Sequence, residues 1–192
     1  MEGRYEVVSL LTTCNEHFQR VSMHDEYVER MKGHLLAYKA QGVTRFAFGD
    51  IFLEDLKRWR EENLAQLDLR GVFPIWKVDS RQLIREFISL GFGSVICCVN
   101  DAYLDETALG RNIDSDFIHW LPAGVDACGE NGEYHSFAFA GPIFQQPLRL
   151  HVGEKVYRPV EETHPGPTSA VCPLPGARQT KGFWYCDLLP AP

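Results

Sequence analysis

No stretch of this 192-residue chain approaches the roughly 20 apolar residues that a membrane-spanning helix requires. The opening MEGRYEVVSLL has one Arg before a short apolar run, without the long apolar core and small-residue cleavage site of a secretory signal. A cytoplasmic location is the expectation. Cysteine is unpatterned: Cys97 and Cys98 are adjacent, Cys14, Cys128, Cys172 and Cys186 are scattered, and no CxxC pair occurs. They read as reduced thiols, several buried as small hydrophobes. Basic residues are outnumbered, 19 against 26 acidic for a net charge of −7, and no run forms a basic stripe, so nucleic acid is not an expected partner. His24 and His135 lack partners at zinc-ligand spacing, and no metal site is expected from them. GxSxG, GxGxxG and GxxxxGK[ST] are all missing, which leaves the hydrolase elbow, the dinucleotide fingerprint and the Walker loop without their motifs.

What is present suits a folded α/β chain. Hydrophobic residues make up 45%, enough for a core in one large domain or two small ones. Glu6 to Thr12 is a near-continuous apolar run of strand length. From Asp25 to Gln41, Val28, Met31, Leu35 and Tyr38 recur at helical spacing, and Gly42 stands as a C′ residue. Strands are expected at 7–12, 44–48, 73–76 and 94–99, all in one parallel sheet, with a helix over 52–67 and another from the Asp79–Ser80 cap to Leu90. Beyond Leu121 the pattern turns antiparallel. Asn131-Gly132 is the strongest hairpin signal, since a type I′ turn needs positive φ at both positions, and Tyr134 to Phe139 alternates like a strand. Four prolines between 159 and 176 mark a loop, and the closing GFWYCDLLP is apolar enough to rejoin a sheet.

The segment richest in chemistry is Cys128-Gly-Glu-Asn-Gly-Glu-Tyr-His-Ser-Phe137, where Glu130 and Glu133 flank a sharp bend. Such a pair can bind a cation or magnesium-bound phosphate, or supply a general base whose proton affinity is raised by its neighbour. An ordinary hairpin with solvated acids fits the same spacing. Gly49-Asp50 ends a strand, where open parallel sheets place ligands, although Asp50 equally suits a helix N-cap. Arg58 and Arg60 can hold phosphate or carboxylate, or simply form a solvated helix face.

Taken together, LLTTCNE (10–16), VSMH (21–24), GVTRFAFGDIFLEDLKRWREENL (42–64), PIWKVDSRQLIREFISLGF (74–92), LGRNID (109–114), GVDACGENGEYHSFAFAGPIF (124–144) and the closing WYCDLLP resemble the diphthine–ammonia ligase, or diphthamide synthase, family of N-type ATP pyrophosphatases. The order of GD-I, the Arg-rich helix, the P-[IL]-W segment and GE-x-GE-[YFH] carries the resemblance. It implies a PP-loop, HUP-type (Rossmann-like) parallel sheet followed by an α+β C-terminal domain with antiparallel strands. The implied divisions are a partial nucleotide-binding domain at 1–72, a GENGE-bearing domain at 73–158, a Pro-rich loop at 159–178 and a terminal strand at 179–192.

The resemblance also implies ATP and Mg2+ as cofactors and a carboxylate substrate, protein-borne or small, activated as an acyl adenylate. Ammonia then converts it to an amide, with AMP and pyrophosphate released. A homodimer is compatible with it; a membrane is not implied. On matching positions, Glu130 and Glu133 would be catalytic, Thr12, His24, Gly49 and Asp50 would lie by the nucleotide, and Arg60, Asn131 and Gly132 by the substrate. The family's Ser-Gly-Gly-Lys-Asp-Ser phosphate loop does not occur in this sequence, which looks N-terminally truncated, so weak ATP binding is expected. A non-catalytic binding protein is the alternative. Glu130, Glu133 and Asp50 are expected in one cleft, and, with the phosphate loop restored, Glu133→Gln is expected to abolish ligation with little loss of stability.

Overall fold

The computed structural model describes residues 20–160 and 179–191, with side chains from residue 28 onward. The strand expected at 7–12, Thr12 and most of the Pro-rich stretch lie outside the described residues. Two compact units are present: one comprises the chain up to Gly49 with Glu54–Pro74, the other Asp50–Leu53 with the chain from Ile75. Among the described residues no helix is long and apolar enough to cross a membrane.

In the first unit, helix α1 (Arg20–Ala40) buries Met31 and Leu35, one turn apart on one face, and the chain leaves it through Gly42 at φ 91°. Strand β1 (Arg45–Ala47) pairs in parallel with β2 (Arg70–Val72), Phe46 opposite Gly71. Between them runs α2 (Glu54–Ala65), whose first turn carries Glu54 and Asp55 where the helix dipole favours acid. Leu64 and Leu69 join Met31 and Leu35 in a small core. Lys39 donates to the Leu67 carbonyl at 2.7 Å, satisfying a group just past the end of α2.

The second unit holds α3 (Ser80–Ser89), strand β3 (Gly93–Asn100), a short 3-10 turn (Glu106–Ala108), α4 (Ser115–Trp120) and strands β4 (Tyr134–Ala140), β5 (Leu150–Pro159) and β6 (Gly182–Pro190). Asp79 caps α3 by accepting from the Gln82 N–H at 2.9 Å, and Gly91 at φ 79° follows its end. The four strands form an antiparallel sheet in the order β4-β3-β6-β5. Ile84 of α3 and Phe117 of α4 pack with Ile96, Val99 and Tyr134 in the main core.

The mixed architecture agrees with the expected fold class, with three local corrections. The strand expected at 73–76 is instead Arg70–Val72, and 74–77 is a turn. Pro74 has no N–H for a ladder, and the Lys77 N–H goes to the Ile51 carbonyl at 2.7 Å with Lys77 at φ 62°. Residues 94–99 do not join the parallel sheet: β3 lies between β4 and β6, and Ile96 and Ser94 also bond Arg111 and Ile113. Lastly, Asn131-Gly132 is not a type I′ hairpin turn. Asn131 keeps φ negative, only Gly132 is positive (φ 81°), and β4 pairs with the distant β3.

Candidate functional site

Glu133 is fully buried, and its carboxylate organises the loop before β4. Oε1 accepts the Asp126 N–H at 2.9 Å and the Asn131 Nδ2 at 3.0 Å, while Oε2 accepts the Asn131 N–H at 3.0 Å. Three donors thus replace the water that a buried carboxylate loses. The Glu133 carbonyl accepts from the Asn100 N–H at 2.9 Å, tying the loop to the end of β3. This corrects the expectation that Glu133 projects into a cleft. It points inward because the N–H groups of residues 126 and 131 converge there.

Asp126 holds the first half of the loop. Its Oδ1 accepts the N–H groups of Cys128 at 2.9 Å and Glu130 at 3.2 Å, and its Oδ2 accepts the Ser80 hydroxyl at 2.5 Å. The chain then turns at Gly129, φ 71°, where a Cβ would stand 2.8 Å from the Tyr134 carbonyl oxygen. Only glycine fits that approach. Cys128 donates its thiol to the Ser80 carbonyl at 3.3 Å. Burial, then the charges of Asp126, Glu130 and Asp79, push that thiol up to about 12, so it stays protonated and is no nucleophile near neutrality.

Glu130 is turned the other way. Its Oε1 accepts the Ile51 N–H at 2.9 Å, a contact across 79 residues of sequence, and the Ile51 carbonyl is taken by Lys77. Both polar groups of a buried residue are thereby satisfied within the second unit. Burial raises the proton affinity of the half-buried Glu130; the Ile51 N–H opposes this, Asp50 and Asp126 add to the rise, and the Phe52 N–H opposes it. Asp50 is buried. It lies four residues before the start of α2, so it is not that helix's cap.

Asp50, Glu130, Asn131, Gly132 and Glu133 therefore belong to one unit, with Asp50 close enough to Glu130 to act on its charge. Gly49 and Arg60 belong to the other unit, where the Arg60 guanidinium lies 4.6 Å from the centre of the Phe48 ring. His24 lies on α1, and its side chain is outside the described residues. Asn131 serves the loop through Glu133, and Gly132 supplies positive φ. Asp126 and Ile51 were not singled out from the sequence, and Ser80 only as a candidate helix cap. An Asp followed three residues later by Gly129 is an Asx-turn signal that would have marked Asp126.

Residues 79–163 match the family model described as diphthamide synthase C-terminal domain. That span takes in α3, β3, the whole loop and β5. Over this span the chain is similar to the diphthine–ammonia ligase family. It is 30% identical over 127 residues to the diphthine–ammonia ligase of Homo sapiens, covering 63% of this chain and 47% of the relative. The Danio rerio diphthine–ammonia ligase is 32% identical over 110 residues, covering 54% and 43% respectively. The Bos taurus protein of the same name is 30% identical over 127 residues, with 63% and 47% covered. This chain thus spans about half the length of the curated relatives it matches. Asp126, Glu130 and Glu133 fall inside the family match, whereas Asp50 and Ile51 precede it.

Proposed function

We propose that this chain is a diphthine–ammonia ligase family member and takes part in ATP-dependent, AMP-forming amide ligation, with Glu130 as its acid–base group and Asp50 as its charged neighbour. The observation that carries the reading is the placement of Glu130: a half-buried carboxylate aimed at the Ile51 N–H, with its proton affinity raised by burial, Asp50 and Asp126. A general base gains from such tuning toward the working pH. In the ligation step, ammonia attacks the carbonyl carbon of an acyl adenylate, the C–O bond to AMP breaks, and the nitrogen sheds a proton. Glu130 takes that proton.

Neighbouring carboxylates also favour a cation, either ammonium on its way in or magnesium carried by the nucleotide. Among the described residues no three His, Cys, Asp or Glu groups are placed to hold a metal by themselves. Asp50 and Glu130 fit the lesser role of meeting an ion that the phosphates mostly coordinate. ATP and magnesium enter the reading from the family, whose Ser-Gly-Gly-Lys-Asp-Ser loop is not part of this sequence.

The test is ammonium-dependent AMP release at millimolar ATP and magnesium over a panel of carboxylates, in the wild type and in Glu130→Gln. Release that disappears in the variant supports the ligase reading. No release from the wild type with any carboxylate, alongside tight binding of one of them, would replace it with the binding-protein alternative.

A further inference from the structure

Asp126 belongs to the same loop and the same unit as Glu130. One oxygen accepts from Cys128 and from Glu130 itself, so it sets the backbone from which the Glu130 side chain departs. The other accepts from Ser80, the first residue of α3, at 2.5 Å. Ser80 is bound to the loop a second time, through its carbonyl and the Cys128 thiol at 3.3 Å. Its anchor is firm, because α3 is capped by Asp79 and packs Ile84 into the main core. The Asp126 N–H in turn donates to the buried Glu133.

We propose that Asp126 is a positioning residue, which fixes the Glu130 carboxylate against the Ile51 N–H by fastening the turn that bears it to the first residue of α3. A carboxylate suits this task because it accepts on two sides at once, from loop amides on one and a hydroxyl on the other. The same charge acts on Glu130. The groups facing Glu130 are Asp50 from the 50–53 segment and Asp126 and Cys128 from the loop, the thiol being neutral; Asp126 also bonds the Glu130 backbone. This inference rests on Glu130 being the working group.

The experiment uses the whole chain and neither ATP nor ammonia. Amide exchange at Ile51 reads the position of Glu130, and a carboxyl-carbon NMR titration reads its proton affinity. Ser80→Ala removes the anchor while leaving the Asp126 charge, and Ile51 should exchange about tenfold faster, with the core amide of Val99 unaffected. Asp126→Asn keeps an acceptor for the two amides but removes the charge, and the Glu130 midpoint should fall. A merely structural Asp126 would leave that midpoint in place. Unchanged Ile51 exchange in Ser80→Ala, together with an unchanged Glu130 midpoint in Asp126→Asn, would overturn the proposal. That result leaves the ligase reading standing, whereas absent AMP release sinks the ligase reading without altering either readout.

Discussion

Replacing Glu133 by Gln is isosteric, yet every group around its carboxylate is a donor: the Asp126 N–H, the Asn131 N–H and the Asn131 side-chain amide. Gln can set its oxygen where Oε1 stands and keep two of these bonds in neutral form. Its NH2 then faces the Asn131 N–H, donor against donor, in a fully buried site. With hydrogen bonds to charged groups worth about 1.5–3 kcal/mol and an unsatisfied buried donor costing about 1–3, the expected loss is about 2–4 kcal/mol. That is a large share of the roughly 5–15 kcal/mol that holds a typical domain. The assay is urea unfolding followed by amide exchange at Ile96 and Val99, both fully buried in the second unit. A loss below about 0.5 kcal/mol, the range of an exposed glutamate, would refute the reasoning. Any loss of activity in Glu133→Gln is then a consequence of loop disorder.

The two loop glycines should separate by their surroundings. Gly132→Ala has open space and should cost about 1 kcal/mol for positive φ alone, whereas Gly129→Ala also drives a Cβ to 2.8 Å from the Tyr134 carbonyl and should cost at least about 2–3, read as shifts in urea midpoint. Tyr134→Phe loses the 2.5 Å bond to the Ala127 carbonyl and should lower stability by about 1–2 kcal/mol in the same assay. For Glu130 the sign follows from its raised folded-state proton affinity: its contribution is full below the ordinary carboxylate range and is lost as pH rises through the raised value. Glu130→Gln lacks that loss, so its stability relative to wild type should grow with pH across that window; urea midpoints that run parallel at every pH would contradict this.

Local chemistry was the most legible part of the chain. Asp79 and Gly91 bracket α3 because a carboxylate and a residue free to take positive φ are needed at those places whatever packs around them. Gly42 marks the end of α1 for the same reason. Sheet membership was not legible. The run at 94–99 reads as a buried strand in either sheet, and its partners come from residues up to 185. The hairpin reading of Asn131-Gly132 failed because side-chain bonds within the loop override turn preference: Asn131 spends both its N–H and its side chain on Glu133. Spacing marked Glu130 and Glu133 as equivalent acids. What separates them is the convergence of N–H groups from within the loop on one, which depends on how the loop turns, and the distant Ile51 segment on the other, which is not local in sequence.

The claim on which the account rests is that Glu130 works and Glu133 builds. Ammonium-dependent AMP release by Glu130→Gln, measured at a urea-verified wild-type stability, tests it most directly. The account predicts that release falls to background while the loop amides of Asp126 and Asn131 stay protected. Release at the wild-type rate in a folded Glu130→Gln protein would contradict it.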